Sequence, residues 1–298
     1  MVDFARTVRS LTPKPAKDAI ARSLRLLGEK TSALRMSPTY QIVGAQRSGS
    51  SSLYEYIVTH PLVGRALVKE VHYFDVNFHR GIAWYKGHFP TRAKAEWVER
   101  LHGHEMITGE ATPYYMAHPT ALGRLAEQFP DSRIIVVLRD PIDRAYSHYN
   151  HEVALGHETL SFEKAVEAEP ERLDGEVERM LADPLYQSFN HQHFSYVTRG
   201  MYADQLDAIH GLFQRERVHV LTMADLQTNS DATYAAVLRF LGLPSHSLPR
   251  YPRHGARTYP PMARSIRDRL RLTFEGPNRR LFDLLGTDLG WNDASAVP

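Results

Sequence analysis

Three groups of residues have the types and spacing to do chemistry on an anion. The first is Gln46-Arg47-Ser48-Gly49-Ser50-Ser51, which follows the apolar run Gln41-Ile42-Val43 and leads into Ser52-Leu53-Tyr54. Glycines at 44 and 49 let the backbone turn its N–H groups inward, the start of a helix presents unpaired donors, and the serines add hydroxyls. Arg47 supplies a fixed positive charge, so this turn suits a phosphate or a sulfate. The second group is Arg139 at the end of the apolar run Ile134 to Leu138, with Ser147 two helical turns further on. An arginine and a hydroxyl at the carboxyl end of a buried strand suit a second, separate phosphate. The third is Lys69-Glu70-Val71-His72, where a carboxylate and an imidazole two residues apart in an extended segment share a side and are both candidate proton acceptors. The competing readings are an ordinary strand–turn–helix bend, an Arg139 salt bridge to Asp140 or Asp143, and a plain Lys69–Glu70 surface pair.

The glycine-bounded turn departs from the nucleotide triphosphatase pattern G-x-x-x-x-G-K-[ST], because Ser50 stands where the lysine belongs and the cation sits inside the loop at Arg47. No strand acid able to hold magnesium follows it. A nucleotide kinase and a non-catalytic nucleotide- or glycan-binding protein are the rival function classes. The first is disfavoured by Ser50, and the second by the presence of Glu70 and His72.

Together the segments resemble the sulfotransferases that use 3′-phosphoadenosine-5′-phosphosulfate (PAPS). Gln46 to Ser51 is similar to their 5′-phosphosulfate loop, and Arg139 with Ser147 to their 3′-phosphate site. Lys69-Glu70-Val71-His72-Tyr73-Phe74-Asp75 resembles the K-E-x-H-[FY]-F-D segment of the heparan-sulfate branch, followed by Gly81 and Trp84-Tyr85. Further likeness lies in Gly109 to Tyr115, in Gly200-Met201-Tyr202, in Phe240 to Leu243 and in the tail from Arg257 to Leu281. The resemblance implies sulfuryl transfer from PAPS to an acceptor hydroxyl by in-line displacement. Arg47 then serves the leaving oxygen, Lys69 orients the sulfate, Glu70 is the base and His72 the alternative base. It also implies that Arg257, beside Arg253 and His254, closes over the nucleotide, the competing role being a solvated basic loop. Two departures bear on the substrate. Arginine replaces the lysine common at position 47, and Glu110-Ala111-Thr112 replaces E-K-[ST], so a substrate-side lysine is missing. The expected acceptor is therefore a neutral hydroxyl compound, a carbohydrate or glycolipid, rather than an acidic polymer or a nucleic acid.

The elements that must position these groups follow from periodicity. Alternating strands and helices imply one α/β domain with a central parallel sheet covered on both faces and a P-loop-like strand–loop–helix. Strands are expected at 41–43, 106–108, 134–138 and 218–221, the last as a buried strand, with a GEATP turn after the second. Helices are expected from 50, at 91–101, 118–128, from 142, at 161–181 with a bend at Pro170, at 199–213 and at 233–241. Proline and basic residues mark 244–264 as a loop.

A chain of 298 residues with 43% hydrophobic residues can bury one substantial core. The absence of cysteine excludes disulfides and thiolate metal sites. Sixteen histidines are present, but the pairs His102/His104, His148/His151 and His191/His193 lack a matched carboxylate spacing, so no metal centre is expected. Residues 1–37 carry eight basic residues against three acidic ones in a chain of net charge +2, so the catalytic body, 38–298, is slightly acidic. This basic arm is expected to be helical over 16–27, with Ile20, Leu24 and Leu27 on one face. It either packs on the domain or touches a membrane surface. No run is long enough to span a bilayer and no signal-peptide core is visible, so a cytoplasmic enzyme is expected, with membrane association at most at the surface.

Overall fold

In the computed structural model of the chain, residues 23–255 and 257–293 are described. The core is a five-stranded, wholly parallel sheet of order β2-β3-β1-β4-β5. Its strands are β1 (Tyr40–Gly44), β2 (Val63–Gly64), β3 (Ile107–Ala111), β4 (Arg133–Leu138) and β5 (Val218–Thr222). Side-chain alternation in the two central strands builds both faces. Val43, Ile134, Val136 and Leu138 enter one apolar cluster, while Tyr40, Ile42, Ile135 and Val137 enter the other.

Helix α1 (Ser50–Ile57) covers the second face, and the short α2 (Gly81–Lys86) the first. They are followed by α3 (Arg92–His102), α4 (Ala121–Gln128) and α5 (Pro141–Leu155). Asp140 caps α5 by accepting from Ile142 N at 2.8 Å, with Pro141 in its first turn. Next come α6 (Phe162–Leu173), α7 (Glu176–Ala182), α8 (Phe189–Phe194), α9 (Tyr202–Leu212), α10 (Met223–Thr228), α11 (Ser230–Leu241) and the long α12 (Arg264–Leu285).

Because the chain leaves β1 toward β2 and β3 on one side and reaches β4 and β5 on the other, the order reverses between β1 and β4. The carboxyl ends of those two strands open a crevice, the place where open α/β sheets bind ligands.

The structure differs from the sequence expectations in five places. β3 runs on through Gly109-Glu110-Ala111, because those residues pair with Tyr40, Gln41 and Ile42 where a turn was expected. Pro170 stays inside α6, and the break comes at Gly175, whose φ of +67° suits glycine. β5 is an edge strand with only Leu221 buried. Arg199 sits in a one-turn 3-10 helix, Thr198–Gly200, and α9 begins after it. The segment from Lys69 to His72 is not extended, since Glu70 and His72 have φ of +59° and +54°. The expected helix over 16–27 lies outside the described residues before residue 23; from there a helix occupies 23–30, with Leu24, Leu26 and Leu27 exposed. Among the described residues no helix is long and apolar enough to cross a membrane.

Candidate active site

The crevice is a cavity of about 500 Å³ whose wall includes Gln46, Arg47, Gly49, Ser50 and Ser51 together with Glu70 and His72. Arg139, Ser147 and Arg257 also line it, so residues separated by up to about two hundred positions share one site. Gly49 adopts φ +95° and no side chain caps α1, which leaves the first N–H groups of that helix free for a ligand. Ser48 is fully buried beneath the loop and Lys69 lies off the wall, so these two expected contributors do not face the cavity.

The two residue groups expected to hold two phosphates lie on one continuous wall. Arg47 Nε donates to Ser147 Oγ at 3.2 Å, its Nη2 to the Gly255 carbonyl at 3.2 Å, and Arg139 Nη1 donates to the Arg47 carbonyl at 3.3 Å. Asp140 is engaged in capping α5 and Asp143 pairs with Arg267, so neither neutralises Arg139 as the competing reading required. Burial, followed by repulsion from Arg257 and Arg139, lowers the Arg47 pKa from its ordinary value. Three guanidiniums thus share this wall, and an anion there would relieve their mutual repulsion. The 244–263 loop is stitched over this mouth by Tyr56 Oη donating to the Pro252 carbonyl at 2.9 Å and by His254 N donating to Ser52 Oγ at 2.9 Å.

Opposite charge gathers at Glu70. Its carboxylate accepts from Lys69 and lies 3.7 Å from His72 Nε2, while His72 Nδ1 contacts Asp75 Oδ2 at 2.7 Å. Burial resists ionisation of Glu70, but His72 and Lys69 outweigh it and hold its pKa at about 2. Burial likewise opposes charge on His72, yet Asp75 and Glu70 raise its pKa to about 10. At neutral pH Glu70 is therefore a carboxylate and His72 an imidazolium.

This segment is held from below by the GEATPYY run. Buried Glu110 accepts from Val71 N at 3.2 Å, Tyr85 Oη at 2.8 Å and Tyr115 Oη at 3.0 Å, and Tyr115 Oη accepts from Tyr73 N at 2.9 Å. Ala111, the position of the missing lysine, is wholly buried and lies off the cavity wall.

Sequence reasoning passed over Arg199, Asp75 and Glu152. Buried Arg199 donates to Gln46 Oε1 and to the carbonyls of His191 and Gln192, and its guanidinium lies 4.6 Å over the Tyr114 ring at the cavity wall. Its only visible signal was its place beside Gly200-Met201-Tyr202. Buried Glu152 also lines the cavity; although burial opposes its charge, contacts with His148 and His193 hold its pKa below the ordinary carboxylate range. His148 itself is lowered to about 3, mainly by burial, so an uncharged imidazole faces that carboxylate.

Comparison with known proteins decides the lineage. Residues 38–254 match the sulfotransferase domain model. The chain belongs to the sulfotransferase family. It is 23% identical over 322 residues to the membrane-associated sulfotransferase kil1 of Dictyostelium discoideum, covering 86% of this chain and 67% of that protein. It is 25% identical over 279 residues to heparan sulfate glucosamine 3-O-sulfotransferase 3B1 of Mus musculus, covering 86% of this chain and 65% of that one. The chain thus spans about two thirds of the length of these relatives. Among solved structures, a sulfotransferase from Alicyclobacillus acidocaldarius superimposes with a TM-score of 0.63 at 27% identity, over 87% of this chain and 100% of that one.

Proposed function

We propose that this sulfotransferase takes the sulfuryl group of PAPS and passes it to a neutral acceptor hydroxyl, a carbohydrate or glycolipid, with Glu70 as base. The reading is carried by one observation: the Arg47, Arg139 and Arg257 wall and the Glu70 carboxyl line a single cavity at the sheet's switch point. The acceptor oxygen attacks sulfur in line, the bond from sulfur to the bridging oxygen breaks, and adenosine 3′,5′-bisphosphate leaves. The developing charge on that oxygen falls to Arg47 and the N–H groups at the start of α1. Arg47 would serve the bridging oxygen of the donor, and Ser147 with Arg139 would hold its 3′-phosphate.

Glu70 takes the acceptor proton because it is ionised at neutral pH, whereas His72 already carries its proton. Asp75 and His72 position that carboxylate. The carboxylate of Glu70 on the wall, with no lysine at position 111, suits an uncharged acceptor better than a polyanion.

The test is labelled-sulfate transfer from PAPS into a cell extract, with products read by mass spectrometry. Glu70→Gln should keep cofactor affinity while losing transfer by about two to four orders of magnitude, and His72→Ala should lose less. Near-normal transfer by Glu70→Gln with an inactive His72→Ala would move the base to His72. A highly anionic polymer as the labelled product would overturn the acceptor.

A further inference from the structure

On the wall of the same cavity lies a cluster that sulfuryl transfer does not use. Glu152 is in the last turn of α5, and Gly156, at φ +79°, ends that helix and turns the chain back. The following His157 returns over the helix end, its N–H bonded to the Glu152 carbonyl at 3.0 Å. From α8, whose first turn is capped by Ser188, His193 arrives at the same carboxylate. His157 Nδ1 and His193 Nδ1 both stand 2.9 Å from Glu152 Oε2, with ring centroids 4.5 Å apart and planes inclined by 71°.

The three prospective ligand atoms lie within 4.8 Å of one another. Zinc bonds of about 2.0–2.2 Å to imidazole and carboxylate place tetrahedral ligands about 3.4 Å apart, so small side-chain movements suffice. Behind the carboxylate, fully buried His148 has Nε2 3.4 Å from Oε1 with neither ring nitrogen hydrogen-bonded, so it is placed to become the outer partner that orients a ligating group. The charge also needs a counterpart. Glu152 is 1% exposed, and among the described residues no lysine or arginine forms an ion pair with it. A buried carboxylate matched only by imidazoles is costly, and a divalent cation compensates it in full.

We infer that Glu152, His157 and His193 bind one divalent transition cation of the zinc class. Two imidazole nitrogens and one carboxylate select zinc, cobalt or nickel over the oxygen-seeking magnesium and calcium. Three protein ligands leave a fourth tetrahedral position for water or another oxygen ligand. Glu152 and His193 line the cavity, so the cation is reached from it.

The experiment uses the untagged full chain, cleared of metal with a chelator and then titrated with Zn²⁺ by calorimetry and with Co²⁺ by visible absorption. One equivalent should bind, and cobalt should show the intense absorption of a four-coordinate site. Loss of an outer partner alone costs about 10–100-fold in metal affinity, so His157→Ala and His193→Ala should each weaken binding by at least tenfold. His157 is exposed, so its variant tests the ligand without disturbing the core, and it decides the matter should His193→Ala fold poorly. His102→Ala, at an exposed histidine on α3, should bind as the parent does. Absence of uptake by the parent chain, or uptake unchanged in His157→Ala, would overturn the site.

Discussion

Glu70 and His72 sit two residues apart with pKa values driven in opposite directions, to about 2 and about 10. The depressed carboxyl stabilises the fold above its ordinary 4.5 and loses that contribution as pH falls through about 2. The raised imidazole contributes fully below 6.5 and loses its share as pH rises through about 10, so the pair contributes most between 4.5 and 6.5. For activity, kcat/KM should show no acid limb near the ordinary histidine value and should fall only as pH approaches the His72 value. A rise in rate through about pH 6.5 would instead mark an imidazole accepting the proton. Arg139 and Ser147 should distinguish the bisphosphate from adenosine 5′-phosphate, because charge-assisted bonds to the 3′-phosphate are lost without it. Arg139→Ala should bind the two nucleotides with nearly equal affinity in calorimetry, and parental discrimination would remove Arg139 from that phosphate. That Gln46–Ser51 and Arg139 with Ser147 would lie near one another was legible in the sequence, since each group is a few residues of apt chemistry just after a strand, β1 or β4. Arg199 and Glu152 were not, because their importance comes from burial and from partners far along the chain, such as Gln46 for Arg199 and His193 for Glu152.

Among the elements, β1, β4 and the helices that follow them were readable because a buried parallel strand is an uninterrupted apolar run. β3 was cut short in that reading because Gly109-Glu110-Ala111 has the composition of a turn; pairing with β1 and a fully satisfied carboxylate override that preference. β2 has two residues, too few for any period, and α12 carries charged residues and Pro277 that obscure its apolar stripe. The hidden extension of β3 has a mechanical consequence. Glu110 is the post on which Val71, Tyr85 and Tyr115 hang, and through them the Lys69–Asp75 segment. Glu110→Ala leaves these donors buried without an acceptor, at about 1–3 kcal/mol each, so stability should fall by roughly 3–5 kcal/mol in urea denaturation. Glu110→Gln keeps one acceptor oxygen and should cost less. Equal stability of Glu110→Ala and the parent chain would show that the segment is held by other contacts.

At the scale of the molecule, the parallel sheet brings the β1 loop, the β4 end, the Lys69–Asp75 segment and the 244–263 loop to one mouth, each from a different part of the chain. A ligand spanning that mouth ties α1, α5 and the covering loop together in the native state alone, and stabilisation then follows mass action. At about 100 times its dissociation constant a ligand adds about 2.7 kcal/mol, enough to raise the melting temperature of a domain this large by roughly 4–8 °C. Adenosine 3′,5′-bisphosphate should produce such a shift. ATP should produce little, because Ser50 stands where a triphosphate loop needs its lysine and ATP carries no 3′-phosphate for Arg139 and Ser147 to meet. Arg139→Ala should shrink the bisphosphate shift while leaving the ligand-free melting temperature close to the parent value, since among the described residues the Arg139 guanidinium donates within the site to the Arg47 carbonyl alone. A shift with ATP alone would assign the mouth to a triphosphate and remove the sulfuryl donor from the cavity.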